Sequence, residues 1–110
     1  MNKNIEKTAF FSIITVTLNN IAGLKAAYTS LQNQNCDDFE WIVIDGNSTD
    51  ETKEYLTTTD AKWSSQPDCG IYDAMNKGIE RAGGKYLLFL NAGDTLAAPE
   101  TLQNIKEAAH

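Results

Sequence analysis

Apolar positions follow two patterns along the 110-residue chain. The first is the continuous run: Phe10 to Leu18, Trp41 to Ile44 and Lys85 to Leu90. Such short, β-branched runs predict strands buried on both faces, as in a parallel sheet covered by helices. A shorter segment, Lys62–Trp63–Ser64, predicts one more strand. The second pattern is helical spacing. Ile21, Leu24, Tyr28 and Leu31 recur as one stripe; Tyr72, Met75, Ile79 and Ala82 recur as another, ended by Gly83–Gly84. Ser48–Thr49–Asp50–Glu51 has the form of a capping box and predicts a helix from there towards Thr58. Pro99 introduces a last helix through Leu102, Ile105 and Ala109.

The order β-α-β-α-β-α-β-α with short connections predicts an α/β fold of three layers, a Rossmann-like, mainly parallel sheet flanked by helices. Ligands of such sheets collect beyond the carboxyl ends of the strands, where the strand order reverses. Three turns are expected to converge there: Thr17–Leu18–Asn19, Asp45–Gly46–Asn47 and Asn91–Ala92–Gly93–Asp94. Asp45 either accepts hydrogen bonds from a nucleobase or ribose or simply closes its turn. Asp94 either ligates a hard divalent ion or serves as a turn or N-cap residue. The loop from Gln66 to Gly70 feeds a helix carrying Asn76 and Lys77, whose start can face an anion. Either side chain can equally be a solvated helix residue.

Charge narrows the ligand. Nine basic against fifteen acidic residues leave a net charge of −6, which excludes unaided nucleic-acid binding. A diphosphate then needs a bridging cation, helix N-termini or well-placed lysines. Cys36 and Cys69 lack metal-ligand spacing and are expected to be reduced thiols. No apolar signal core follows Met1–Asn4, and no run is long enough to span a bilayer. The expected location is the cytoplasm, with any membrane association peripheral.

Four segments carry a resemblance. Phe11–Asn20, Glu40–Asp50, Asp68–Ile79 and Leu90–Asp94, in this order and at natural spacing, resemble the opening of a family 2 glycosyltransferase, nearest to bacterial enzymes of exopolysaccharide synthesis of the colanic-acid type. The resemblance implies a GT-A fold that binds a nucleoside-diphosphate sugar, a UDP-sugar first among them, with Mg²⁺ or Mn²⁺. It further implies transfer of the sugar, with inversion, to a hydroxyl of a saccharide or lipid-linked saccharide acceptor. Thr17 and Asn19 match the turn lining the nucleotide pocket, Asp45 the acid that contacts the base, and Asn76 and Lys77 the helix facing the donor. Asn91 and Asp94 fall on the segment that holds the family's metal-binding Asp-x-Asp.

The departures are specific. Of that acidic motif only Asp94 keeps a carboxylate, Leu18 replaces a frequent aromatic, and Met75 a frequent arginine. The family's general base lies downstream of the metal motif, so no catalytic residue is assigned, and His110 is not expected to serve. Residues 1–110 are therefore expected to form the donor-binding part of a GT-A domain. The open sheet edge is expected to pair with a second copy. The alternative function is a non-catalytic nucleotide-sugar-binding or assembly module. A sugar nucleotidyltransferase is disfavoured because no Gly-rich basic loop follows the first strand.

Overall fold

The structure is a computed structural model that describes residues 8–109; His110 and the first seven residues lie outside them. Eight elements alternate: β1 (Phe11–Thr17), α1 (Ile21–Gln32), β2 (Phe39–Asp45), α2 (Thr52–Leu56), β3 (Lys62–Ser65), α3 (Ile71–Arg81), β4 (Tyr86–Phe89) and α4 (Thr101–Ala108). All strand pairs are parallel, in the order β3-β2-β1-β4. The sequence-predicted α/β architecture is thus present, with β1 central. The order reverses between β1 and β4, and this opens a crevice at their carboxyl ends.

Side chains alternate across the sheet. Phe11 and Ile13 of β1, with Trp41 and Val43 of β2, pack against Leu24 and Leu31 of α1, Leu56 of α2 and Leu102 of α4. On the other face Ile14, Ile42 and Ile44 meet Ala74 of α3. The larger face carries polar groups that satisfy one another. The Trp41 indole N–H donates to Thr15 Oγ1 at 2.9 Å, and the Thr15 hydroxyl donates to the Leu90 carbonyl at 2.6 Å. That chain ties β2 to β1 and β1 to the end of β4, and Tyr28 stacks on the Trp41 ring at 4.8 Å.

Two sequence expectations change. Only part of the apolar stripe assigned to α3 meets the sheet: Ala82 packs on the Ile14, Ile42 and Ile44 cluster and Met75 is half-buried, but Tyr72 is 79% exposed and Ile79 is exposed, whereas Ala74 and Gly78 are buried. The helix lies close to β1. A Cβ on Gly78 would collide with Ile14 Cγ2, so small residues take the inner face and the large ones are turned outward. The second change concerns the capping box at Ser48. Helix α2 begins four residues later, at Thr52, and Ser48 is spent elsewhere. Cys36 is buried and Cys69 exposed, both as free thiols. No described helix is long and apolar enough to cross a membrane.

Candidate functional site

Among the described residues four have positive φ, Asn19 (48°), Asn47 (74°), Gly70 (113°) and Gly93 (100°), and each lies in a turn after β1, after β2, before α3 or after β4. Backbone strain of this kind is concentrated where turns must hold a fixed shape. The turns after β1 and β2 are stitched together. Gly46 N donates to the Thr17 carbonyl, Asn19 N to Ser48 Oγ at 2.8 Å, and Thr49 N to Asn19 Oδ1 at 2.7 Å.

A cleft of about 300 Å³ opens at the reversal point, lined by Val16, Thr17, Leu18, Asn20, Asp68, Gly70, Ile71, Asn91 and Ala92. Its walls come from the ends of β1 and β4, the start of α1 and the start of α3. A larger hollow of about 490 Å³ lies between α1 and residues 95–99. The polar groups around it serve the fold: Ser30 Oγ accepts from Leu96 N, and Gln34 bridges Ala98 and Leu102. The smaller cleft is the candidate site because it holds groups that the fold does not use.

Thr17 is the clearest of these. It lines the cleft, is 3% exposed, and its Oγ1 has no hydrogen-bond partner. Buried hydroxyls are nearly always paired, yet Oγ1 of Thr17, like that of Thr52 in α2, is sealed from solvent without a partner. Asp68 adds an acceptor: Oδ1 receives Gly70 N–H at 3.1 Å, while Oδ2 stands over Gly46, where a Cβ would lie only 2.9 Å away. Leu18 and Ile71 are both more than half exposed and give the mouth apolar sides. Helix α3 starts at Gly70 with no side-chain cap, which leaves the N–H groups of its first turn without an intrahelical acceptor.

Of the residues singled out in the sequence, Thr17 and Asn91 line this cleft. Asn19 holds the neighbouring turn instead. Asp45 does not face the cleft. It is fully buried, its carboxylate accepting from Ser48 N (3.1 Å), the Ser48 hydroxyl and the Ser65 hydroxyl (2.7 Å). Asn76 is exposed on α3, and Lys77 pairs with Asp73 at 3.5 Å and reaches the Pro67 carbonyl. Neither lines the cleft. Asp94 closes its own turn: its Oδ2 accepts Asn91 N at 3.1 Å and its N–H donates to the Asn91 carbonyl. Asn20, Asp68 and Ile71 were not assigned from sequence. The Pro-Asp-Cys-Gly loop before α3 was the available signal for Asp68.

A divalent cation fits this donor set poorly. At position 91 the side-chain oxygen is turned away to accept Val16 N–H at 3.1 Å, and one oxygen of Asp94 is spent on its turn. Among the described residues no three His, Cys, Asp or Glu side chains gather to hold a metal.

Comparison with known proteins agrees with the fold. A glycosyltransferase of PGL/p-HBAD biosynthesis from Mycobacterium bovis is 42% identical over 101 residues, which cover 86% of this chain and 40% of that relative. An uncharacterized glycosyltransferase of Mycobacterium tuberculosis is 40% identical over 101 residues, 88% of this chain and 38% of the relative. The chain thus spans about two fifths of the length of these relatives. The crystal structure of S. aureus TarS 1–349 in complex with UDP-GlcNAc superposes with a TM-score of 0.78 at 25% identity, over 88% of this chain and 30% of that one. A mannosyltransferase from Pyrobaculum calidifontis, in complex with GDP-Man and Mn²⁺, shares the fold with a TM-score of 0.77 at 21% identity, over 92% of this chain and 32% of that one. The profile described as glycosyl transferase family 2 matches residues 12–110, and the chain belongs to that family.

Proposed function

We propose that the cleft holds the nucleotide of a nucleoside-diphosphate sugar, a UDP-sugar, and presents the sugar for transfer to a hydroxyl acceptor. The observation that carries this reading is the cleft at the β1–β4 reversal point, with apolar sides from Leu18 and Ile71 and one lining acid, Asp68. Leu18 and Ile71 bracket a planar base, Asp68 Oδ2 accepts from a base N–H or ribose hydroxyl, and the Thr17 hydroxyl supplies a further bond. TarS with UDP-GlcNAc supports the donor class. The relative's role in PGL/p-HBAD biosynthesis supports a saccharide or lipid-linked acceptor at the cell surface.

Transfer requires the attacking hydroxyl to lose a proton as the diphosphate leaves. We assign inversion from the family and give the proton acceptor to no residue of this chain. The open edge of β4, where Tyr86 and Leu87 are exposed, pairs with a second copy in this reading. A strict monomer by light scattering at all concentrations would refute that pairing. Calorimetric titration with UDP, GDP and uridine tests the site itself. Saturable binding that weakens in Asp68→Ala is expected; no binding of any of the three overturns the assignment.

A further inference from the structure

Two asparagines line the cleft, and both are turned the same way. Asn20 Oδ1 accepts Gly23 N–H at 3.0 Å, and Asn91 Oδ1 accepts Val16 N–H at 3.1 Å. Only the oxygen of an amide can receive a backbone N–H, so each side chain leaves its Nδ2 amino group as the free end. Among the described residues neither amino group has an acceptor. The start of α3 adds the backbone N–H of Ile71, while the N–H of Gly70 before it is held by Asp68 Oδ1.

The wall is therefore rich in hydrogen-bond donors, with Asp68 Oδ2 as its one carboxylate acceptor. Donors complement an anion and repel a cation. The two acids nearest the helix start are already engaged: Asp68 Oδ1 with Gly70 N–H, and Asp73 with Cys69 N–H and Lys77. We propose that the phosphate groups of the nucleotide are held by the Asn20 and Asn91 amino groups and the first turn of α3, without a divalent cation. Position 91 then offers the phosphate a donor where the family motif offers a metal a carboxylate. The inference rests on the nucleotide reading above and deepens it.

Titration calorimetry of the whole chain with UDP and with uridine, in EDTA and in MnCl₂, tests it. UDP is expected to bind in EDTA with a Kd within about twofold of that in Mn²⁺. Asn20→Asp and Asn91→Asp each keep the oxygen that answers a backbone N–H and exchange the amino group for a second oxygen. Both are expected to weaken UDP by about tenfold or more in EDTA and to leave uridine within about twofold. Ile71→Pro removes one N–H at a helix position where proline is tolerated, and should weaken UDP more than Ile71→Ala does. UDP binding that appears only with Mn²⁺, or that is indifferent to both aspartate variants, overturns the inference while the nucleotide reading stands. No binding of UDP or uridine in either buffer overturns both.

Discussion

Thr17→Val exchanges a buried hydroxyl for a methyl of nearly the same shape. The hydroxyl has no partner in the fold and is 3% exposed. A buried polar group left unsatisfied costs about 1–3 kcal/mol. Valine also suits a central strand at least as well as threonine. The free protein should therefore become more stable, by about 1 kcal/mol, which for a domain near 100 residues raises Tm by about 4–8 °C. Ligand binding should move the other way. A neutral hydrogen bond contributes about 0.5–1.5 kcal/mol, so nucleotide affinity should fall by about two- to tenfold. Urea unfolding of the free protein and calorimetric titration of the same preparations measure the two effects. A variant that is less stable would mean that the hydroxyl serves the fold; unchanged affinity would mean that no ligand atom meets it. Either result refutes the reasoning.

The carboxyl of Glu40 sits at the opposite end of the sheet. Burial pushes its pKa up, but hydrogen bonds from Lys62, Ser12 and Gly83 N–H and the charge of Lys62 outweigh this and leave it at about 2, below the ordinary 4.5. Its contribution is present above pH 4.5 and is lost as pH falls towards 2. Because Lys62 is largely in solvent, we expect about 1–2 kcal/mol. The stability gap between wild type and Glu40→Gln, followed by urea unfolding, should close over that window; a gap independent of pH would contradict the ion-pair account. Gly78→Ala gains about 1 kcal/mol of helix propensity but forces a methyl against the stiff, β-branched Ile14, a clash costing about 1–3 kcal/mol. A net loss of about 1 kcal/mol by thermal melting is expected, and a gain would show that α3 can move outward. Asp45→Asn places an amino group among three donors and should cost about 1–3 kcal/mol in urea unfolding. Unchanged stability would show that the carboxylate is free for other work.

β1 and β2 were legible as buried strands because they are largely apolar, β-branched runs; β4 was legible as a strand, but its edge position, which leaves Tyr86 and Leu87 exposed rather than buried, was not, because sequence order does not fix strand order. Nor was the inner face of α3. Periodicity weighs side chains by hydrophobicity, whereas close packing on Ile14 selects for the absence of volume at Ala74 and Gly78. Ser48 shows a second limit. Its position before Glu51 suits a helix cap, but the Asp45 carboxylate, three residues earlier, and Asn19, from another turn, compete for its hydroxyl and win. The same contacts decide that Asp45 is sealed, which residue type alone could not reveal. Thr17 was found through its place at a strand end. Asn20 was missed because an N-cap role explains it fully; only the direction of its amide exposes a second use.

The stitched turns after β1 and β2 have a consequence for how tightly a small molecule can be held. With Asp45, Ser48, Asn19 and Thr49 already bonded to one another, the turn beside the cleft, the floor on which Leu18 stands, is set before a guest arrives. Little freedom remains there to be surrendered on association. Selectivity then falls to the groups above that floor, and exchanging a few side chains on the α3 loop would retune the guest while the scaffold stays as it is.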